Sequence, residues 1–151
     1  MLKTTDVLKA VTGELIKKYN YPVYSREVVK GFKQPCFFIK FMRTTTGETQ
    51  NFNSNTMSVF ITYFASAEKN REIEFMGIVD DLRQTFGMSI QAGGRNLKTR
   101  TFNDERVGEK QDILQITITT DFFDDTGRAD PDAGLDVMRE LKTKITNRLA
   151  Y

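Results

Sequence analysis

Between Asp112 and Phe122 the side chains alternate in a strict two-residue rhythm. Leu114, Ile116 and Ile118 fall on one side, and Gln115, Thr117 and Thr119 on the other. A helix would scatter these residues around its axis, whereas an extended strand gathers them into one apolar and one polar face. The segment predicts a strand with one buried face and one face left exposed or covered by a partner. Such a strand is not stable alone. It needs a sheet around it and an apolar layer upon it.

The rest of the chain supplies both. Val7, Leu8, Val11, Leu15 and Tyr19 recur at three- and four-residue spacing and predict a helix over 4–19, capped by Thr4 or Thr5. Asn20 supplies the turn after it, and Pro22 stops it. Phe75, Met76, Val79, Leu82 and Phe86, with Ile78 at the edge, predict a second helix over 71–86, closed by Gly87. Val137, Leu141, Ile145 and Leu149, broadened by Met138, predict a third over 132–149. Residues 23–25 read as a short extended piece. Residues 36–43 carry Phe37, Ile39 and Phe41 on one face and Cys36, Phe38, Lys40 and Met42 on the other, which predicts a central strand. Residues 57–64 form another strand. Gly93-Gly94 marks a turn, and 95–103 a strand whose residues 98–103 pair as a hairpin with 113–120. Residues 44–56 and 104–111 read as polar connections, and 124–131 as a polar linker. The expected fold is α+β: one small domain whose mixed or mainly antiparallel sheet of four to five strands packs against helices on one face.

Composition narrows the chemistry. The chain has 151 residues, the size of one domain, with one cysteine and no histidine. A single cysteine excludes an intrachain disulfide and a thiolate zinc cluster, and Cys36 reads as a small buried hydrophobe. Without histidine there is no Ser-His or Cys-His nucleophile, and the commonest metal ligand is missing. The net charge of +2 gives no broad field for a polyanion. Asp6, Lys9 and Glu14 interrupt any apolar leader at the N-terminus, and no stretch is apolar enough to span a membrane. No enzyme activity and no cofactor are expected.

The remaining polar constellations read mainly as surface. Asp121, Asp124, Asp125, Asp130 and Asp132 do not follow a calcium-loop spacing and read as a solvated loop before a helix. Pro131-Asp132 with Glu140-Leu141-Lys142 matches a metal-dependent nuclease signature in letters. Inside a helical pattern, however, Glu140 and Lys142 point about 200° apart. Gly93-Gly94-Arg95 is too short to cradle a phosphate. Basic residues interleave with acidic ones: Glu105 and Glu109 sit beside Arg106 and Lys110. Such mixed charge suits a charge-matched protein interface better than nucleic acid. Phe32, Phe52 and Phe102 lie in or near predicted loops, where an aromatic framed by polar groups marks either an interface or an anchor of the loop to the core. The candidate interface residues are therefore Lys30, Phe32, Lys33, Phe52, Phe102, Arg106, Glu109 and Lys110.

One segment is more specific. Tyr21-Pro22-Val23-Tyr24, continuing through Gly31-Phe32 to Pro35-Cys36-Phe37-Phe38, resembles tail terminator proteins of long-tailed bacteriophages and prophages of Gram-positive bacteria. The order of elements around it is similar to that family over nearly the whole chain. The resemblance implies a structural, non-catalytic protein that forms a hexameric ring on the head-proximal end of the tail tube. Such a ring stops tube polymerisation and docks the head connector. In contractile tails it also meets the last sheath ring, and DNA only passes through its channel. Residues 44–56 and 104–111 are then the expected ring and tube contacts. The alternatives are a head–tail connector or tube subunit, a metal-dependent nuclease, and an adaptor domain unrelated to phages.

Overall fold

A computed structural model of the chain describes residues 1–25, 34–65 and 71–126. The predicted helix over 132–149, the basic linker with Lys30, Phe32 and Lys33, and the nuclease-like Asp132, Glu140 and Lys142 lie outside the described residues.

Helix α1 (Thr4–Tyr19) buries Val7, Val11 and Leu15, the stripe its spacing predicts. Lys3, not a threonine, precedes its first turn, and the carboxylate of Asp6 accepts from the Lys3 amide at 3.2 Å. An acid inside the first turn satisfies the same donors and suits the helix dipole. At the other end Asn20 adopts the left-handed conformation (φ 55°) and donates its amide to the Ile16 carbonyl at 2.9 Å.

Six strands follow in one sheet: β1 (Val23–Tyr24), β2 (Cys36–Gly47), β3 (Phe52–Phe64), β4 (Ser89–Ala92), β5 (Arg95–Val107) and β6 (Ile113–Asp125). Their order is β1-β2-β3-β6-β5-β4. Only β1 pairs in parallel; every other pairing is antiparallel. The mixed sheet is the expected kind, with one strand more than expected because β4 is too short to leave a period in the sequence.

The alternation in β6 fixes the core. Leu114, Ile116 and Ile118 are fully buried, and Tyr63, Ile61 and Val59 of β3 lie directly opposite them. Phe37, Ile39 and Phe41 of β2 extend the same rows. Helix α1 and helix α2 (Arg71–Phe86) lie on this face; α2 buries Phe75, Ile78, Val79, Leu82 and Phe86. Met76, predicted in the stripe, is 57% exposed, while Ile78 is buried. The α2 side that meets the sheet is rotated from the expected one. At Gly87 an added Cβ would collide with the Arg83 carbonyl oxygen, which accepts a hydrogen bond from the Gly87 amide at 2.7 Å where the helix ends.

Three expectations change. β2 is not central: β3 and β6 occupy the middle, and β1 covers β2 only at Phe37 and Phe38. The apolar residues on its second face have a local cause. Phe38 meets the Tyr24 ring at a tilt and the Phe64 ring edge-on, while Lys40 and Met42 further along are exposed. Residues 44–56 are not a loop. β2 runs to Gly47 and β3 starts at Phe52, with Thr44 opposite Thr56 and Thr45 opposite Asn55. Likewise β5 runs to Val107, leaving a short turn before Ile113, and β6 continues through Asp124 into what reads as a linker. In each case the register of the apolar half of a hairpin carries the polar half along with it.

Candidate assembly surfaces

The long strands bring two groups of side chains to opposite ends of the sheet. At the first end, β2 leaves for β3, β6 terminates, and the Gly93-Gly94 turn links β4 to β5. Asp124 is the buried centre, with its side chain 6% exposed. Its carboxylate accepts from the Leu2 amide at 2.5 Å and the Asp125 amide at 3.0 Å. It pairs with Arg95 at 3.2 Å and Arg43 at 3.7 Å, and the N-terminal ammonium stands 3.9 Å away. Both guanidinium groups also cover the Phe122 ring, at 5.3 and 5.4 Å. Arg43 reaches Asn55 Oδ1 at 3.0 Å and the Leu2 carbonyl at 2.9 Å. Asp125 accepts from the N-terminal ammonium at 2.9 Å, and this bond raises the ammonium's pKa. A buried carboxylate is stable only when paired and hydrogen-bonded in this way. Here it ties β2, β5, β6 and the N-terminus together. Gly93 closes the corner: its φ is +57°, and a Cβ there would stand 2.8 Å from Leu2 Cδ1. The predicted solvated acidic loop is thus, at Asp124, a structural knot. Asp121 pairs with Arg100 at 2.8 Å, and Asp130 and Asp132 lie outside the described residues.

Around the knot, two large apolar side chains stand exposed beside charged groups, the N-terminal ammonium and Asp125 among them. Phe52, a predicted interface residue, is 55% exposed, and Phe123 is 66% exposed. Together with Met1, Leu2 and Arg95 they line an open cleft of about 420 Å³. Phe123 was not among the predicted residues; its signal is that it breaks the alternation by following Phe122.

The opposite end is polar. The β5–β6 turn holds Glu109 and Lys110, both exposed. Arg106, just before it, folds back on α2. It meets both Glu72 oxygens, at 3.3 and 3.2 Å, and lies over the Phe75 ring at 5.0 Å. Arg71 pairs with Asp112 across the same junction at 3.7 Å. Tyr63 donates to Glu74 beneath it. Phe102 is half-buried against the core with Arg83 over its ring at 5.4 Å. The structure therefore does not unite the predicted residues. Phe52 stands at one end, Arg106, Glu109 and Lys110 at the other, and Phe102 along β5 between them.

Among the described residues, no group of His, Cys, Asp or Glu side chains is placed to hold a metal ion. No described helix is long and apolar enough to cross a membrane. Cys36 is buried, and desolvation pushes its thiol up, away from the thiolate that nucleophilic chemistry needs.

Comparison with known proteins places this arrangement. No curated protein matches the chain. One solved structure is similar at a TM-score of 0.41 and 14% identity, covering 84% of this chain and 99% of the other. A likeness of that size carries no argument. The profile of the phage tail terminator proteins matches residues 6–132, which is most of the chain. The chain therefore belongs to the phage tail terminator protein family, a family of structural proteins of the virion.

Proposed function

We propose that this protein assembles as a homohexameric ring on the head-proximal end of the tail tube. There it stops tube polymerisation and presents the docking surface for the head–tail connector or neck protein. In a contractile tail the same ring meets the last sheath ring. DNA passes through the channel without being read. The observation that carries this reading is the family match across residues 6–132.

The geometry is compatible with it. A subunit between a tube and a connector needs two unlike surfaces at opposite ends. The exposed Phe52 and Phe123 give one end an aromatic patch, while the other end exposes Glu109 and Lys110 and no such pair of rings among the described residues. The ionic groups at the two ends (Asp124 with Arg43 and Arg95, Arg106 with Glu72) hold strands and helix α2 in place. That use of charge suits a scaffold.

The test is to add the protein to polymerising tube protein and measure tube lengths. Tubes that stop growing, in proportion to the protein added, support the reading. Tubes whose length distribution is unchanged refute it. Incorporation at regular intervals along the tube indicates a tube subunit instead.

A further inference from the structure

We propose that neighbouring copies of this chain join by strand pairing: residues 39–44 of one copy lie antiparallel to residues 101–106 of the next. This rests on the ring reading above and supplies its subunit contact.

Among the described residues, both edges of the sheet are uncovered over most of their length. Among the described residues, β1 covers β2 only at Phe37 and Phe38, and β4 covers β5 only from Arg95 to Lys98. Each uncovered stretch presents backbone N–H and C=O groups from every second residue, a template for another strand. Neither 39–47 nor 100–107 contains a proline, the usual guard of an edge. The two edges are also different surfaces. β2 and β5 run in opposite directions within the sheet, so a copy set beside another continues it in antiparallel order. Such a contact is head-to-tail, the kind that closes into rings.

Charge selects the register. Within 39–47 the basic groups are Lys40 and Arg43, and Arg43 is held by Asp124. Within 100–107, Arg100 is held by Asp121, Asp104 by Arg83, and Arg106 by Glu72. Among the described residues, Lys40 on one edge and Glu105 on the other are left without an ion pair. Both are exposed, and both lie on the sheet face away from the helices.

Sterics select the same register. Within one sheet Lys40 is level with Asn103. A copy placed at that level would drive residues 105–106 and 45–47 into slots beside 37–38 and 95–98 that β1 and β4 already fill. A shift of one two-residue step keeps every side chain on its face and frees a ladder of about six pairs, roughly 20 Å long. In this register Lys40 faces Glu105, Met42 faces Asn103 and Thr44 faces Thr101. A constant stagger between copies is also what closing a tilted sheet requires.

The test uses full-length protein with tube protein, counting rings at tube ends by electron microscopy. Lys40→Glu and Glu105→Lys should each keep the thermal melt of the parent but lose rings. An equimolar mixture of the two should recover them, since every contact in an alternating ring is then of opposite sign. Independently, Met42→Cys/Asn103→Cys treated with a short bis-maleimide or an oxidant should give an interchain ladder on denaturing gels, and each single cysteine variant should give none. Within one chain β3 and β6 separate these positions by about 14 Å, beyond a disulfide's reach. Ring-forming parent protein with no ladder, or folded variants that mix without recovery, overturns the strand pairing and leaves the ring reading standing. No rings from the parent on tubes overturns both.

Discussion

At one end of the sheet the Asp124 carboxylate is buried among two guanidinium groups and a backbone amide; at the other, Arg106 meets Glu72, whose side chain is 60% exposed. Both ends place arginine over an aromatic ring and both join distant elements. They differ in water. A buried charge without its partners is costly, so the first end holds together as a unit or fails as one. A pair whose carboxylate stands in water is partly screened and adds less, so the second end tolerates change better. The end that exposes Phe52 and Phe123 is therefore also the end whose buried ion pairs bind the elements together.

The sharpest way to break this comparison is Asp124→Ala. It leaves Arg43, Arg95 and the Leu2 amide without their shared acceptor, and should cost about 3–5 kcal/mol in a denaturant melt. A loss under about 1 kcal/mol would mean the knot is not structural. Next in size is Gly93→Ala, which forces a side chain into left-handed backbone against Leu2. It should destabilise by about 1–3 kcal/mol, read in the same way. At the opposite end Arg106→Ala should cost only about 1 kcal/mol, from a pair whose carboxylate is largely solvated and one cation–π contact. A larger loss would erase the distinction between the ends.

Alkali sharpens the comparison from another side. The Tyr63 phenol donates to Glu74 near the charged end, and Tyr19 donates to Asp81 where α1 meets α2. Burial first, and the neighbouring carboxylate second, raise both phenol pKa values well above the usual range. The folded state therefore keeps protons that the unfolded chain releases near pH 10. Stability from these phenols is fully present below about pH 10 and declines as pH rises beyond it. Melts across that window should show the decline, and Tyr63→Phe should flatten it. A slope unchanged in Tyr63→Phe would assign the decline to other groups.

Much of the fold was legible because apolar spacing reports it directly. The stripes of α1 and α2 and the alternation of β6 each register one buried face, and their elements appear where the spacing puts them. The polar half of the β2–β3 hairpin was not legible. Thr44 to Thr46 and Asn53 to Asn55 carry no apolar rhythm, yet they continue a ladder set by Ile39 opposite Ile61. Met76 misled because it extends the stripe in sequence while the sheet meets a rotated face. The Asp124 knot was hidden for a different reason. Its partners Leu2, Arg43 and Arg95 are scattered along the chain, and an aspartate among aspartates reads as solvated until the topology gathers them. Of the predicted interface residues, Phe52, Glu109 and Lys110 stand in the open, whereas Arg106 and Phe102 are engaged within the chain.

The central claim is that this chain terminates a tube. Gold-labelling the protein on assembled tails and imaging them tests that most directly. The account predicts a single cluster of label per tail, at the end nearest the head. Label distributed along the tube, or absent from both ends, would contradict it.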